Sequence, residues 1–405
     1  TARIAFAALV ALLLAAPALA ASTSTYAAAP ADPRAVTAKA RGDGVADDGV
    51  AIQQAIDAAA ARGANAGGGG IVFLPAGRYR ITRTLYMWPG VRLFGVGRTR
   101  PVLVLAPDTP GFQRGVGSMV VFTGNRPAPG VDAPPVAVPP PTTVPFDARI
   151  ADANSGTFYS AMGNVDVEIG AGNPAATAIR FHAAQHAYLS DMDFRLGSAL
   201  AGIYQVGNIG RNLRFFGGRY GILAEKTSPA WQYTLLDSTF EGQRDAAIRE
   251  HEAGLTLVNT LFRDVPVGIE IDRGYGDWLW GKDVRFENVS RAGIVISNEG
   301  NAYTQIGFDN AVASATPVFA RFRDSGRTVA GPGARYRVRE FGYGLTLPAP
   351  GATGRFATRM DATPLAAVPR RHDPAIRALP PVAGWTSVRD LGVRGDNASD
   401  DTAAL

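Results

Sequence analysis

Thr239-Phe240-Glu241-Gly242-Gln243-Arg244-Asp245-Ala246-Ala247-Ile248 is answered, 22 residues later, by Leu261-Phe262-Arg263-Asp264-Val265-Pro266-Val267-Gly268-Ile269. The pair is one instance of a longer period. Phe194, Phe216, Phe240, Phe262, Phe286 and Phe308 are separated by 22, 24, 22, 24 and 22 residues. Six to nine residues after the first five comes an isoleucine: Ile203, Ile222, Ile248, Ile269 and Ile294. Gly202, Gly221, Gly268 and Gly293 precede four of these, and Ala247 the other. Two apolar positions recurring at this spacing describe the coils of a solenoid, each stacked on the last. The Leu-x-x-Leu-x-Leu pattern of leucine-rich repeats is absent. The period predicts an all-β parallel β-helix with the phenylalanines in one internal column.

Upstream of the period, Asp47 or Asp48 stands where a helix N-cap belongs. Ile52, Ala55, Ile56 and Ala59 follow the i, i+3, i+4, i+7 rule. A helix over 48–62 would cover the open β-edge at the start of a solenoid. Short strands follow at Ile71–Leu74, Tyr79–Ile81 and Val91–Phe94, separated by turn residues. Residues 126–145 are a Pro-rich insertion that reads as a surface loop.

The stretch Arg41-Gly42-Asp43-Gly44-Val45-Ala46-Asp47-Asp48-Gly49-Val50-Ala51-Ile52 recurs at an offset of 353 residues. There it is Arg394-Gly395-Asp396-Asn397-Ala398-Ser399-Asp400-Asp401-Thr402-Ala403-Ala404-Leu405, identical at six of twelve positions. That distance is far too long for one solenoid coil and marks the start of a second domain. The expected organisation is a signal peptide (1–20), a flexible leader (21–36) and a β-helix domain (37–345). A Pro-rich linker (346–384) and the start of a second, truncated β-helix domain (385–405) complete it. The signal peptide rests on Arg3, the apolar run Ile4–Leu14 and the site Ala18-Leu19-Ala20. It places the protein outside the cytoplasm, secreted or periplasmic, with no membrane association after cleavage.

Of 405 residues, 40 are Lys or Arg and 35 Asp or Glu, a net charge of +5. Only Lys39, Lys226 and Lys282 are lysine. The positive charge is interspersed with acids, unlike the concentrated patch of a nucleic-acid binder, so no nucleic-acid partner is expected. The chain has no cysteine, which a large exported domain tolerates.

Arg41-Gly42-Asp43-Gly44-x-x-Asp47-Asp48, the Gly67–Gly70 run, Val72-Phe73-Leu74-Pro75-Ala76-Gly77-x-Tyr79 and Val91-x-Leu93-x-Gly95-x-Gly97 resemble the pectate-lyase-like right-handed β-helix superfamily, in its rhamnogalacturonase/epimerase-type branch. The resemblance covers about residues 37–100. It implies the fold more firmly than the reaction, because the superfamily holds hydrolases, lyases, epimerases and depolymerases. Two such domains in tandem resemble family 55 glycoside hydrolases, exo-acting β-1,3-glucanases. In that family the general acid lies in the second helix, so it carries over to no residue here.

The densest polar cluster runs from Glu241 to Glu252. Aligning coils on their isoleucines points Ile248, Ile269 and Ile294 inward, with Glu250 in register with Ile271 and Ile296. A carboxyl in an apolar column has a raised pKa or a firm partner such as Arg244 or Arg249. The outward column is Glu225, His251, Asp272 and Ser297, spaced by about 4.8 Å per coil. Glu225 and Asp272 then stand roughly 10 Å apart, near the upper end for an inverting carboxylate pair. Glu250, Asp272 and Glu225 are thus the candidate catalytic residues. His251, Glu241, Trp231 and Trp278 are the candidate saccharide ligands, with Tyr275 and Trp280 in the same connections. A solvated polar ladder and buried turn packing are the bland readings of the same residues.

Neither Gly-Asp-Gly-x-x-Asp-Asp nor the His182/His186 pair meets a metal-site pattern, so no metal or cofactor is expected, with calcium admitted if the protein is a lyase. The leading expectation is a glycoside hydrolase acting on a polysaccharide through paired carboxylates. Two others stay open: a lyase or epimerase acting on uronate-containing glycans, with arginine or calcium on the substrate carboxylate, and a non-catalytic carbohydrate-binding or structural module.

Overall fold

The computed structural model describes residues 22–32, 35–63, 69–127, 149–225, 232–372, 384–396 and 398–405. The expected signal peptide, most of the Pro-rich insertion and Trp231 lie outside the described residues. The remainder is a parallel β-helix with three strand-lined faces.

On the first face Ile71–Pro75 pairs with Arg92–Val96, and later Tyr233–Leu236, Leu255–Val258 and Trp278–Lys282 stack in parallel. Thr239–Glu241 and the start of Leu261–Ile271 lie on the second face. The third carries Ala201–Tyr204, Tyr220–Ala224 and Ala246–Glu250, each one coil beyond the last. Ile203, Ile222, Ile248, Ile269 and Ile294 pair residue to residue, as the period predicts.

The phenylalanine column differs from expectation at two places. Phe194 stacks on Phe215, not Phe216, with ring centroids 4.7 Å apart. Phe215, Phe240, Phe262 and Phe286 continue the column at 4.6, 5.2 and 5.3 Å. Phe194 and Phe215 are register partners 21 residues apart, one fewer than the 22 that separate Phe194 from Phe216, so Phe216 falls on the other side of the pleat and is only half-buried. Phe308 pairs with Gly281 on the first face and meets Phe286 edge-on at 6.0 Å.

The glycine before each isoleucine has a steric cause. A Cβ on Gly221 would lie 2.4 Å from the Phe240 ring, and one on Gly202 2.6 Å from Phe215. The coil corners have a second device. Asn212, Asn259 and Asn310 adopt φ of 50° to 55°, a left-handed conformation that Asn and Asp tolerate. Their amides donate to Asp191, Asp237 and Asp283 of the preceding coil at 2.8, 2.8 and 2.5 Å.

The helix Gly49–Arg62 covers the first coil, burying Ile52, Ala55, Ile56 and Ala59. Its capping departs from expectation. Asp48 makes no side-chain cap; it accepts from the Arg41 and Gly42 amides at 2.7 and 3.0 Å, clamping the preceding loop. Asp47 accepts from Gly49 N instead. At the far end the strands turn antiparallel, through Thr328–Ala330, Arg335–Thr346 and Arg355–Pro364. Part of the expected Pro-rich linker is therefore a paired strand. Arg371 also donates to Thr239, Ser238 and Asn259 on the corner ladder.

The leader is likewise not free: Ser22–Tyr26 pack against the coils around Arg100 and Asn164. Among the described residues no helix is long and apolar enough to cross a membrane.

Candidate functional site

The third face ends, coil after coil, at the residues singled out by the outward column. Ala224, Glu250 and Ile271 are register partners, so Glu225, His251 and Asp272 follow at the same corner. The ladder extends one step into it: His251 N donates to Ala224 O and Asp272 N to Glu250 O.

His251 Nε2 meets Asp272 Oδ2 at 2.5 Å, and Arg249 Nε donates to both Asp272 oxygens at 2.9 and 3.0 Å. Burial pushes the Asp272 carboxyl up, but the His251 and Arg249 hydrogen bonds outweigh it and hold it below the usual carboxylate range. Asp272 is therefore an ionised anchor. With Nε2 turned to Asp272, Nδ1 is the ring nitrogen left for another partner. Tyr275 stacks on that ring, 4.0 Å between centroids at 6°.

Asp272, though not His251, lines a groove of about 740 Å³ together with Arg219, Arg244, Arg249, Arg273, Arg291 and Arg323. Its acids are Asp245, Glu270 and Asp272. All three are paired: Asp272 with Arg249 as above, Asp245 with Arg219 at 2.6 Å and Glu270 with Arg323 at 2.8 Å. Tyr220 O–H donates to Asp245 at 3.3 Å and its oxygen accepts from Arg249 at 3.2 Å. Six guanidinium groups against three carboxylates give the groove a net positive charge.

Glu250 points inward as the register predicts, yet it is completely buried. It does not open on the groove, and Arg249 pairs with Asp272 rather than with it. Its Oε2 accepts from Ala253 N at 3.0 Å. Asp277, from the next coil, accepts from Gly254 N and Trp278 N at 2.7 and 2.8 Å. Were both carboxyls ionised, Glu250 Oε1 and Asp277 Oδ2 would be buried with no donor. A proton on Glu250, donated to Asp277, satisfies both. Burial and the charge of Asp277 accordingly push Glu250 well above the usual range, and burial lifts Asp277 to about 6. The pair pins the turn 251–254 that carries His251.

Other expected members fall elsewhere. Glu225 accepts from Tyr204 O–H at 2.8 Å. Burial first, and then the Glu225 charge, pushes the Tyr204 phenol up to about 12. Ser297 is buried and structural, donating to Ile271 O and accepting from Arg323. Glu241 lies on the second face beside Arg263 at 3.6 Å and does not reach the groove. Trp278 projects from the first face against Tyr303, with Trp280 two residues on. Among the described residues no cluster of three His, Cys, Asp or Glu side chains forms a metal centre. Arg219, Arg273, Arg291, Arg323 and Tyr220 were missed in sequence, and Arg244 and Arg249 were considered there only as partners of Glu250, although period-2 alternation from buried Ile248 places Arg249 outward.

Mannuronan C5-epimerase AlgE3 of Azotobacter vinelandii is 47% identical over 73 residues, which are 16% of this chain and 4% of the epimerase. The chain thus spans a small part of that relative's length. Among solved structures, an Acinetobacter phage tailspike protein aligns with a TM-score of 0.44 at 12% identity, covering 73% of this chain and 56% of its own. The A-module of Azotobacter vinelandii mannuronan C-5 epimerase AlgE4 aligns at 0.34 and 14% identity, covering 71% of this chain and 91% of the module. Residues 35–295 match the family described as rhamnogalacturonase A/epimerase, pectate lyase-like, and the chain belongs to that family.

Proposed function

We propose that this β-helix acts on an anionic, uronate-containing polysaccharide by removing the C5 proton beside the carboxylate, as a lyase or an epimerase. The observation that carries this reading is the arginine groove around an ionised Asp272. A proton α to a carboxylate is hard to remove because the carbanion adds charge to a group already charged. Arginines that neutralise the carboxylate lower that barrier by stabilising the charge that develops. His251, oriented through Nε2 by Asp272, offers Nδ1 as the general base. Departure of the O4 substituent, taking a proton to leave as an alcohol, gives an unsaturated uronate; return of a proton from water to the opposite face gives the C5 epimer.

The name of the AlgE3 relative, a mannuronan epimerase, supports a uronate substrate. Glycoside hydrolysis, the leading expectation from sequence, needs a protonated carboxyl at the bond. Among the candidates in this chain Asp272 is held ionised, Glu225 receives the Tyr204 hydroxyl, and Glu250 is sealed in the core, so hydrolysis would draw that acid from the second β-helix, where the sequence expectation places it.

The test is incubation with polymannuronate, polygalacturonate and a neutral β-1,3-glucan. Ultraviolet absorbance would report an unsaturated product, and proton NMR in D₂O would report C5 exchange. New ends or exchange in a uronan supports the reading. Reducing ends released from the neutral glucan alone would return the function to glycoside hydrolysis, and no change in any polymer would favour a binding module.

A further inference from the structure

Past the corner that carries His251 and Asp272 the chain enters the first face, whose outer side ends in a trough. Thr256, Trp280, Gly307, Gly342 and Arg359 are register partners on successive strands. They form one row and face the same side of the sheet. Two glycines stand in the middle of that row. The Trp280 indole leans over the first of them, its Cδ1 3.2 Å from where a Gly307 Cβ would lie. A Cβ on Gly342 would meet nothing within 4 Å. The floor is therefore bare backbone two strands wide, between the indole on one side and Arg359 on the other. The trough measures about 420 Å³, inside the range of roughly 300–1,000 Å³ typical of small-ligand sites. It shares no lining residue with the arginine groove.

The trough also holds polar groups with capacity to spare. Arg359 and Glu340 make no ion pair among the described residues, whereas the charges beside them are matched: Arg339 with Asp361 at 2.7 Å and Lys282 with Asp309 at 2.6 Å. Gln305 Nε2 donates to Ala302 O at 2.9 Å. Its Oε1 lies over Gly344, 2.1 Å from where a Cβ there would stand, and faces the trough. Trp278 and Trp280, two residues apart on one strand, are 39% and 41% exposed. Trp278 is steadied by Tyr303, with ring centroids 4.8 Å apart. Two large indoles side by side at the surface are the kind of exposed apolar area that calls for a ligand.

We propose that this trough is an accessory binding site for a second stretch of the polysaccharide, separate from the site of reaction. A pyranose ring has apolar C–H faces and an edge of hydroxyls. Trp280 offers a flat ring to the face. Glu340 and Gln305 Oε1 accept from hydroxyls, and Arg359 donates to a carboxylate. Rings with a few placed polar groups are the usual lining of such a site. The backbone floor admits a narrow chain, where a protein partner would need a broader apolar patch. The reading of the polymer as a uronan enters only through Arg359, since stacking serves a neutral glycan as well. A polymer held here raises the effective concentration of its other segments at the arginine groove.

Binding is best measured in the Arg249→Ala protein, whose arginine groove is weakened, by tryptophan fluorescence and calorimetry. The probes are oligomannuronate, oligogalacturonate and a β-1,3-gluco-oligosaccharide. The oligouronates are expected to bind and to change the tryptophan emission. Adding Trp280→Ala should raise Kd at least ~10-fold, as truncation of a central aromatic anchor does. Adding Gly342→Leu fills the trough and should do the same. That side chain enters open space from a backbone outside the left-handed region, so the melting temperature should not fall. Arg359→Ala should weaken the oligouronates and spare the glucan. Absence of binding in the Arg249→Ala protein would overturn the separate site. Full affinity in both Trp280→Ala and Gly342→Leu would overturn it too, by placing the glycan elsewhere. Equal affinity for glucan and oligouronates, unmoved by Arg359→Ala, would overturn the carboxylate contact. None of these readouts needs turnover: a wild-type protein that binds here but transforms no polymer supports the accessory site and overturns the reaction proposed above.

Discussion

At the scale of single residues, the site depends on charges whose partners lie one coil away. Arg249→Ala removes two hydrogen bonds to Asp272 and a groove cation, so kcat/KM on a uronan should fall at least ~100-fold, about 2.7 kcal/mol. Asp272→Asn should cost at least ~10-fold, about 1.4 kcal/mol, by releasing the His251 tautomer. If the substrate carboxylate is neutralised by arginine, chelation of divalent ions should leave the rate unchanged; a collapse in EDTA would assign that role to calcium. Glu250 belongs to stability instead. Its folded pKa is raised, so its contribution is complete below the unfolded value of about 4.3 and is lost as pH rises through the folded pKa. Asp277, lifted to about 6, has the same sign. Melting temperature measured between pH 4 and 9 should therefore decline with pH in a component that Glu250→Gln abolishes. The inward position of Glu250 was legible, because strand alternation from Ile248 fixes it. The pairing of Arg249 with Asp272 was not, because it depends on which side chain of the next coil leans across the corner.

At the scale of elements, coil length decides what the sequence can reveal. The isoleucine strands were readable because β-branched residues sit directly over one another with a glycine before them. The phenylalanine column was misread by one position where two Phe are adjacent, since spacing alone cannot say which of Phe215 and Phe216 points inward. Contact with Gly202 decides it: the Phe215 ring occupies the space of the missing Cβ. The same geometry makes Gly221→Ala a sharp test. Its methyl would meet the Phe240 ring at 2.4 Å, inside a stack that continues on both sides. Overpacking of this kind costs typically 1–3 kcal/mol, measurable by denaturant unfolding. Ala247, at the equivalent place one coil on, sets the comparison: Ala247→Gly should cost no more than the usual strand penalty for glycine. The corner ladder has its own asymmetry. Asn259→Gly loses the amide bond to Asp237 but keeps the left-handed backbone, whereas Asn259→Ala loses both and should be the less stable variant.

At the scale of the whole molecule, the two copies of the Arg-Gly-Asp motif have the same local structure in opposite surroundings. In the first, Asp48 accepts from Arg41 N and Gly42 N, and Asp43 from Val45 N and Ala46 N. In the second, Asp401 accepts from Arg394 N and Gly395 N, and Asp396 from Ala398 N and Ser399 N. The motif thus encodes its own loop, which is why it could be read twice in the sequence. What differs is the apolar side. Ile52 is fully buried against the first coil, while its counterpart Leu405 is 81% exposed, alongside exposed Trp385, Val388 and Leu391. A cap stabilises a domain only by tying a helix to a core. Asp48→Ala should therefore destabilise the β-helix by roughly 2–3 kcal/mol, through the loss of two charge-assisted hydrogen bonds at a buried carboxylate. Asp401→Ala removes the same two bonds from an exposed segment and should leave the melting temperature of this chain unchanged. Equal losses in the two variants would mean that 385–405 is packed against the β-helix in solution. A second copy that adds nothing to this core predicts a large loss in the first variant and none in the second.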